Sequence, residues 1–255
     1  IVKDVTNPMT HSETWEILRE DITDHTEFLN GDELITFQAP DTAFDAGMVP
    51  ISIRQKRNSG ERITNMTIVI DENPAPLVAN FEMGPLMGEL YLESRVRYDS
   101  PSNIRVIAET DQNNVYMAGR FVQAAGGCAG AASGDLLAAM ETMGQMKLRM
   151  FEGPGGSTKA SGTVKQAQLM IRHPNFTGMQ ALPETKELID ARYIDFVEVY
   201  QGDEMLFRMT GGFSISQDPT FRFSYVDNGA AQITVKATDT SGAVFQKTFG
   251  QASGA

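Results

Sequence analysis

The feature that most constrains this chain is a period of two. In "TFRFSYV" (220–226), Phe221, Phe223 and Tyr225 alternate with polar neighbours, and Ile233, Val235 and Ala237 repeat the pattern in "AQITVKATD" (231–239). That spacing sends alternate side chains to opposite faces of a strand, so it commits a segment to a sheet with one buried face. Short runs rich in branched and aromatic residues recur along most of the chain. The first series is "ELITFQA" (33–39), "VPISIRQ" (49–55), "ITNMTIVID" (63–71), "LVANFEM" (77–83), "ELYLESRVR" (89–97), "NIRVIAE" (103–109) and "NVYMAGRFVQ" (114–123). Turn-forming clusters such as "RNSGE", "NPAP", "DSPSN" and "DQNN" separate them, as hairpin connections require. A second series runs through 145–151, 164–173, 191–201, 205–209, 220–226, 231–239 and 243–249.

Two helices interrupt the strands. In "THSETWEILREDI", Thr10 and Glu13 match a capping box, and Trp15, Leu18 and Ile22 form one apolar stripe, so this helix is expected to lie on a sheet. "DLLAAMETM" (135–143) is a short helix that Asp135 can cap and Gly144 can end. It falls between the two strand series. The expected fold is therefore mainly β: two immunoglobulin-like antiparallel β-sandwich domains with an N-terminal helix and a short interdomain helix. The boundaries are 1–133 for the first domain with its arm, 134–144 for the linker helix, and 145–255 for the second domain.

Charge is uneven. The formal net charge is −12, and residues 1–133 carry 10 Lys and Arg against 20 Asp and Glu. Phosphates would be repelled, which argues against nucleic acid and leaves a basic protein partner or plain solubility as the use of the acidic surface. No apolar stretch is long enough to span a membrane. The chain begins at Ile1 and reads as a mature chain whose leader has been removed. His11, His25 and His173 are far apart and show no metal-ligand spacing, so no metal or cofactor is expected. "EGPGGSTK" (152–159) misses the spacing of a phosphate loop and reads as a strand connection. No GxSxG motif or local acid–base constellation points to catalysis, so no catalytic residue is assigned. "NMT" (65–67) and "NFT" (175–177) fit a glycosylation sequon, which matters only in a eukaryotic secretory setting.

One cysteine excludes an internal disulfide. It lies in "VQAAGGCAGAASGD" (122–135), where no side chain near it is larger than serine. Such a segment is thin, and its glycines widen the allowed backbone space. Cys128 is six residues past Val122, so an extended loop could carry its thiol roughly 20 Å from the domain. No charged residue adjoins it in sequence to activate the thiol, which favours a carrier over a self-contained catalyst. The competing reading is an ordinary Gly/Ala linker with an incidental thiol.

Motifs in order carry a family resemblance. "VPISI", "TIVIDENPAPLVANFEMGP", "ESRVRYDSPSNIRVIAE" and "VYMAGRFVQAAGGCAG" resemble the SoxY subunit of the periplasmic sulfur-oxidation carrier over about 33–130. "LMIRHPNFTGM", "YIDFVEVYQGDEMLF" and "ISQDPTFRFSYV" resemble its SoxZ subunit over about 145–250. The order is that of the two subunits fused head to tail, as in SoxYZ-like carriers associated with quinoprotein (PQQ-dependent) dehydrogenases. The resemblance implies a periplasmic, non-enzymatic carrier with a sulfur intermediate held covalently on Cys128. Gly126, Gly127 and Gly130 would serve as the arm glycines. The implied partners are sulfur-oxidation enzymes or c-type cytochromes, a quinoprotein dehydrogenase system, or a second copy joined through Cys128. The alternative function is a non-catalytic adaptor of such a dehydrogenase, with the cysteine incidental or used for intermolecular disulfides. The chain departs from the family's GGCGG arm in two ways: the residue after the cysteine is Ala129, and 127 residues follow it, so the arm is a loop tied at both ends. His173, at the end of a strand, is expected to be structural.

Overall fold

Sixteen strands, three α-helices and one short 3-10 helix (Pro85–Met87) build a computed structural model that describes residues 6–57, 59–129, 136–152, 158–159, 162–182 and 185–250. The first half contains α1 (Glu13–Ile22), β1 (Leu29–Asn30), α2 (Gly31–Leu34), β2 (Ile35–Gln38), β3 (Val49–Gln55), β4 (Ile63–Ile70), β5 (Leu77–Met83), β6 (Tyr91–Val96), β7 (Ser102–Thr110) and β8 (Val115–Val122). The second contains α3 (Leu136–Glu141), β9 (Met146–Glu152), β10 (Thr158–Lys159), β11 (Gly162–Ile171), β12 (Ile194–Gln201), β13 (Glu204–Gly211), β14 (Thr220–Val226), β15 (Gln232–Asp239) and β16 (Val244–Gly250). The fold is mainly β, as the alternation predicts, and every run read as a strand contains one. The two-residue strands β1 and β10 were not readable, being too short to show a period. β10 lies within the segment taken for a plain connection.

The halves are not separate beads. One sheet runs β1-β8-β7-β4-β5-β13-β12-β15-β16, and the other runs β10-β11-β14-β6-β3-β2 with β9 also on β11. Each sheet therefore crosses from one half of the sequence to the other. The seams are β5–β13, where Phe81 faces Met209, and β6–β14, where Leu92 faces Phe223. Among the described residues the strand pairings are antiparallel except the short β1–β8 contact, and one isolated parallel bridge joins Thr42 to Gln123. The inward faces form a single apolar cluster. At the seams it is aromatic: Phe207 lies 6.1 Å from Phe81, 6.2 Å from Phe221 and 5.1 Å from Phe223, ring centre to ring centre. Tilted and edge-on rings at these distances attract beyond their buried area. Gly84 completes the seam, because a Cβ there would lie 1.8 Å from the carbonyl oxygen of Met205.

α1 packs outside the nine-stranded sheet. Trp15 is buried with Val69 and Ile107, whose neighbours Ile68 and Val106 point into the main core. The guanidinium of Arg105 sits 4.4 Å from the Trp15 ring and pairs with buried Asp71 at 2.8 Å. The cap differs from expectation. Ser12 is the N-cap, its hydroxyl accepting from the amide of Trp15 at 3.1 Å. Thr10 is taken up elsewhere, its amide and hydroxyl both donating to the Asn103 side chain.

Candidate functional site: a docked thiol at the seam

The chain from Val122 to Ala129 does not stand off the domain. It lies along the segment that follows β6. The Gly126 amide donates to the Asp99 carbonyl and the Gly127 amide to the Tyr98 carbonyl, both at 2.8 Å. The 41–47 loop holds the base of the arm: Gln123 donates to the Asp41 carbonyl at 2.8 Å and accepts from the Ala43 amide at 3.1 Å. Gly126 has a φ of +82°, which favours glycine. Gly127 is needed for clearance, since a Cβ there would meet the Ala46 carbonyl oxygen at 2.1 Å. Gly130 and residues 131–135 lie outside the described residues.

Cys128 is fully buried, although Gly126 and Ala129 on either side of it are exposed. The expected tip some 20 Å out is thus replaced, in this structure, by a thiol turned inward. Its carbonyl accepts from the Thr177 hydroxyl at 2.7 Å. Thr177 belongs to the second half, so both halves hold the cysteine. Burial is the main cause that pushes the thiol up to about 11. The Asp99 carboxylate adds to it, and Arg97 opposes it.

Arg97 is the staple behind the arm. It is buried, and its guanidinium donates to the carbonyls of Asn175 (2.5 Å), Pro174 (3.1 Å), Phe213 (3.1 Å) and Ile215 (3.4 Å). No ion pair among the described residues includes it. Loss of water lowers its pKa to about 10, against the pull of Cys128 and Asp45. A pocket of about 490 Å³ opens beside the arm, lined by Arg97, Gly126, Gly127, Asp45 and Gln180, with the fully exposed ring of Phe44 also on its wall. A groove of about 560 Å³ crosses the β6–β14 seam. Its charges are engaged: Arg222 lies 3.9 Å from Glu93, and Arg95 donates to the Asp218 carbonyl and the Thr220 hydroxyl.

The "IRHPNFTGM" stretch buttresses this site through backbone and side chain alike. Asn175 has a φ of +46° and is buried. Its side chain donates to the carbonyls of Ile215 and Ser216 and accepts from the Ile194 amide, so the second sequon is closed to a glycan by burial. His173 is buried too. Its Nδ1 accepts from the Asn175 amide at 3.0 Å, leaving Nε2–H for Asp239 at 3.3 Å. Burial chiefly lowers its pKa, and the ring is a neutral link between segments, in line with the structural role expected for it. Sequence reasoning missed Arg97, Asp99 and Thr177. All three sit inside the motifs "ESRVRYDSPSN" and "IRHPNFTGM", but nothing local in those motifs says which residues meet the arm. Among the described residues no group of three or more His, Cys, Asp or Glu is arranged to hold a metal, and no helix is long and apolar enough to cross a membrane.

Comparison with known proteins gives a consistent assignment. No curated protein matches the chain. Among solved structures, a β-glycosidase from Bacteroides vulgatus is 13% identical with a TM-score of 0.25, covering 85% of this chain and 24% of that one. A glycosyl hydrolase family 2 member from Bacteroides cellulosilyticus DSM 14838 is 10% identical with a TM-score of 0.23, covering 81% and 25%. The chain spans about a quarter of their length, and likeness this low carries no functional weight. Two families match in tandem: the sulfur oxidation protein SoxY over residues 19–128, which ends on the docked cysteine, and the sulphur oxidation protein SoxZ over residues 156–250. The first match lies on the first half of the chain and the second on the second half, so the chain is a fused SoxYZ-like protein.

Proposed function

We propose that this chain is a periplasmic carrier, not a catalyst, and that it holds a sulfur intermediate of persulfide or S-thiosulfonate type on Cys128 for presentation to sulfur-oxidation enzymes. The observation that carries the reading is how the thiol is kept. It is enclosed at the seam, but the arm beyond its base is held there by three hydrogen bonds from Gly126, Gly127 and Thr177, each of modest net strength, about 1 kcal/mol. Such an arm can be stored and released without disturbing the sheets. Gly126 and Gly127 are its hinge and clearance residues in this reading, and Gly130 keeps the arm-glycine role that the resemblance implies. Joining thiosulfate to a thiol releases a proton and a pair of electrons, so the loading partner must supply an electron acceptor. A c-type cytochrome fits that need. Mass spectrometry of the native protein tests the proposal: adducts of sulfane sulfur or thiosulfate mass on Cys128, absent from Cys128→Ser, are expected. A thiol left unmodified with thiosulfate or sulfide and the partner enzymes present would overturn it.

The burial and raised pKa of Cys128 favour one other reading, an adaptor for a periplasmic quinoprotein dehydrogenase in which the thiol is only packing. That reading expects Cys128→Ser to keep full biological activity. A disulfide between two copies would require the arm to leave the seam first.

A further inference from the structure

Building on the carrier reading, we propose that the seam retains the arm only while Cys128 carries no negative charge, on its thiol or on a group attached to it, so that an anionic cargo turns the arm out toward its partners. Four observations support this gate. Cys128 has no exposed surface, and a charge placed there loses its water. The polar groups around it are already engaged, with the Thr177 hydroxyl on the Cys128 carbonyl and the Gly126 and Gly127 amides on residues 99 and 98. Arg97, the cation that acts on the sulfur, spends its hydrogen bonds on four carbonyls of the second half. Asp99, on the other side of the balance, repels a negative sulfur more strongly than Arg97 attracts it. Asp45 adds a further negative charge on the wall of the neighbouring pocket, although it is exposed and screened by solvent.

The thiol puts a scale on the gate. Its shift from 9.0 to about 11 means that a charged sulfur docks about a hundredfold less well than a neutral one. A free thiol is neutral near pH 7 and stays in. A persulfide is largely ionised there and an S-thiosulfonate wholly so, and either would come out. The empty carrier hides its nucleophile, and the loaded one displays its cargo.

An isosteric pair of adducts tests charge apart from size. Iodoacetamide and iodoacetate each alkylate Cys128 with loss of iodide, leaving a neutral carbamoylmethyl group or an anionic carboxymethyl group of the same shape. Hydrogen exchange at the Gly126 and Gly127 amides is then measured on the intact protein. The carboxymethyl form is expected to exchange ten to a hundred times faster than the carbamoylmethyl form. Asp99→Asn keeps the backbone carbonyl that binds Gly126 and is expected to narrow that ratio severalfold. Equal exchange in the two adducts, or a ratio unchanged by Asp99→Asn, would overturn the gate. Because the groups are installed chemically, the result is independent of whether the native protein is ever found loaded.

Discussion

At Cys128 the docked state has a definite pH signature. The docked thiol titrates near 11 and the free one near 9.0. An acid whose pKa is raised by docking favours the docked state while it is protonated. Docking is therefore at full strength below about pH 9 and is lost as pH rises through about 11. Exchange at Gly126 and Gly127, corrected for its intrinsic pH dependence, should be flat to about pH 9 and then climb. Gly127→Ala probes the same contact sterically. The added methyl would strike the Ala46 carbonyl, so the thiol should alkylate at least tenfold faster while the melting temperature of the sheets changes little. Tyr98 poses the reverse case. Its ring is buried and its hydroxyl has no hydrogen-bond partner among the described residues, which leaves a desolvated polar group uncompensated. Tyr98→Phe should be neutral or stabilising, by up to about 1 kcal/mol in urea denaturation. These features were only half legible. Glycine and alanine around Cys128 announce freedom in the unfolded chain. What captures the arm is a pair of backbone carbonyls about 30 residues away in sequence and a threonine hydroxyl about 50 residues away, and no local pattern encodes them.

Among the elements, the segment after β11 matters most. His173 and Asp239 join it to the end of β15, and Arg192 and Ser241 complete the cluster around Asp239 at 2.8 and 2.6 Å. Burial alone would raise the Asp239 carboxyl. Hydrogen bonds from Ser241, Arg192, His173 and the Ala243 amide outweigh it and hold the pKa at about 2. That stability is present above the ordinary carboxylate pKa near 3.8 and is lost as pH falls toward 2. His173 is lowered from 6.5, so its contribution is full above that pH and declines below it as the unfolded chain takes up a proton. Urea midpoints should thus fall in two stages on acidification, one starting near 6.5 and one below about 4. His173→Ala should cost about 2–4 kcal/mol and abolish the first stage. The strands were readable because alternation is local, and α1 was readable because Trp15 anchors its stripe. The cap was misassigned for a reason outside the helix. Asn103, on β7, takes the groups of Thr10, and Ser12 is left to begin the first turn.

Across the whole molecule, the β5–β13 and β6–β14 pairings were beyond sequence reading. Each joins strands more than a hundred residues apart, and a period of two says which face is buried but not which strand lies alongside. The pairings explain why the aromatic residues of β14 are so dense, since they fill the core where the halves meet. Phe207→Ala should cost about 3–5 kcal/mol and loosen both halves together in hydrogen exchange. Residues 1–130 and 136–255, produced as separate chains in one cell, should co-purify through the shared sheets. Each chain made alone should expose the seam aromatics and aggregate. The intact chain avoids that hazard by covalent connection, and this has a consequence for stoichiometry. Thr177 arrives with every Cys128, one for one, so no subunit exchange can give a thiol a different buttress. The hold on the thiol does not weaken on dilution either, because it is an intramolecular equilibrium with no association step in it.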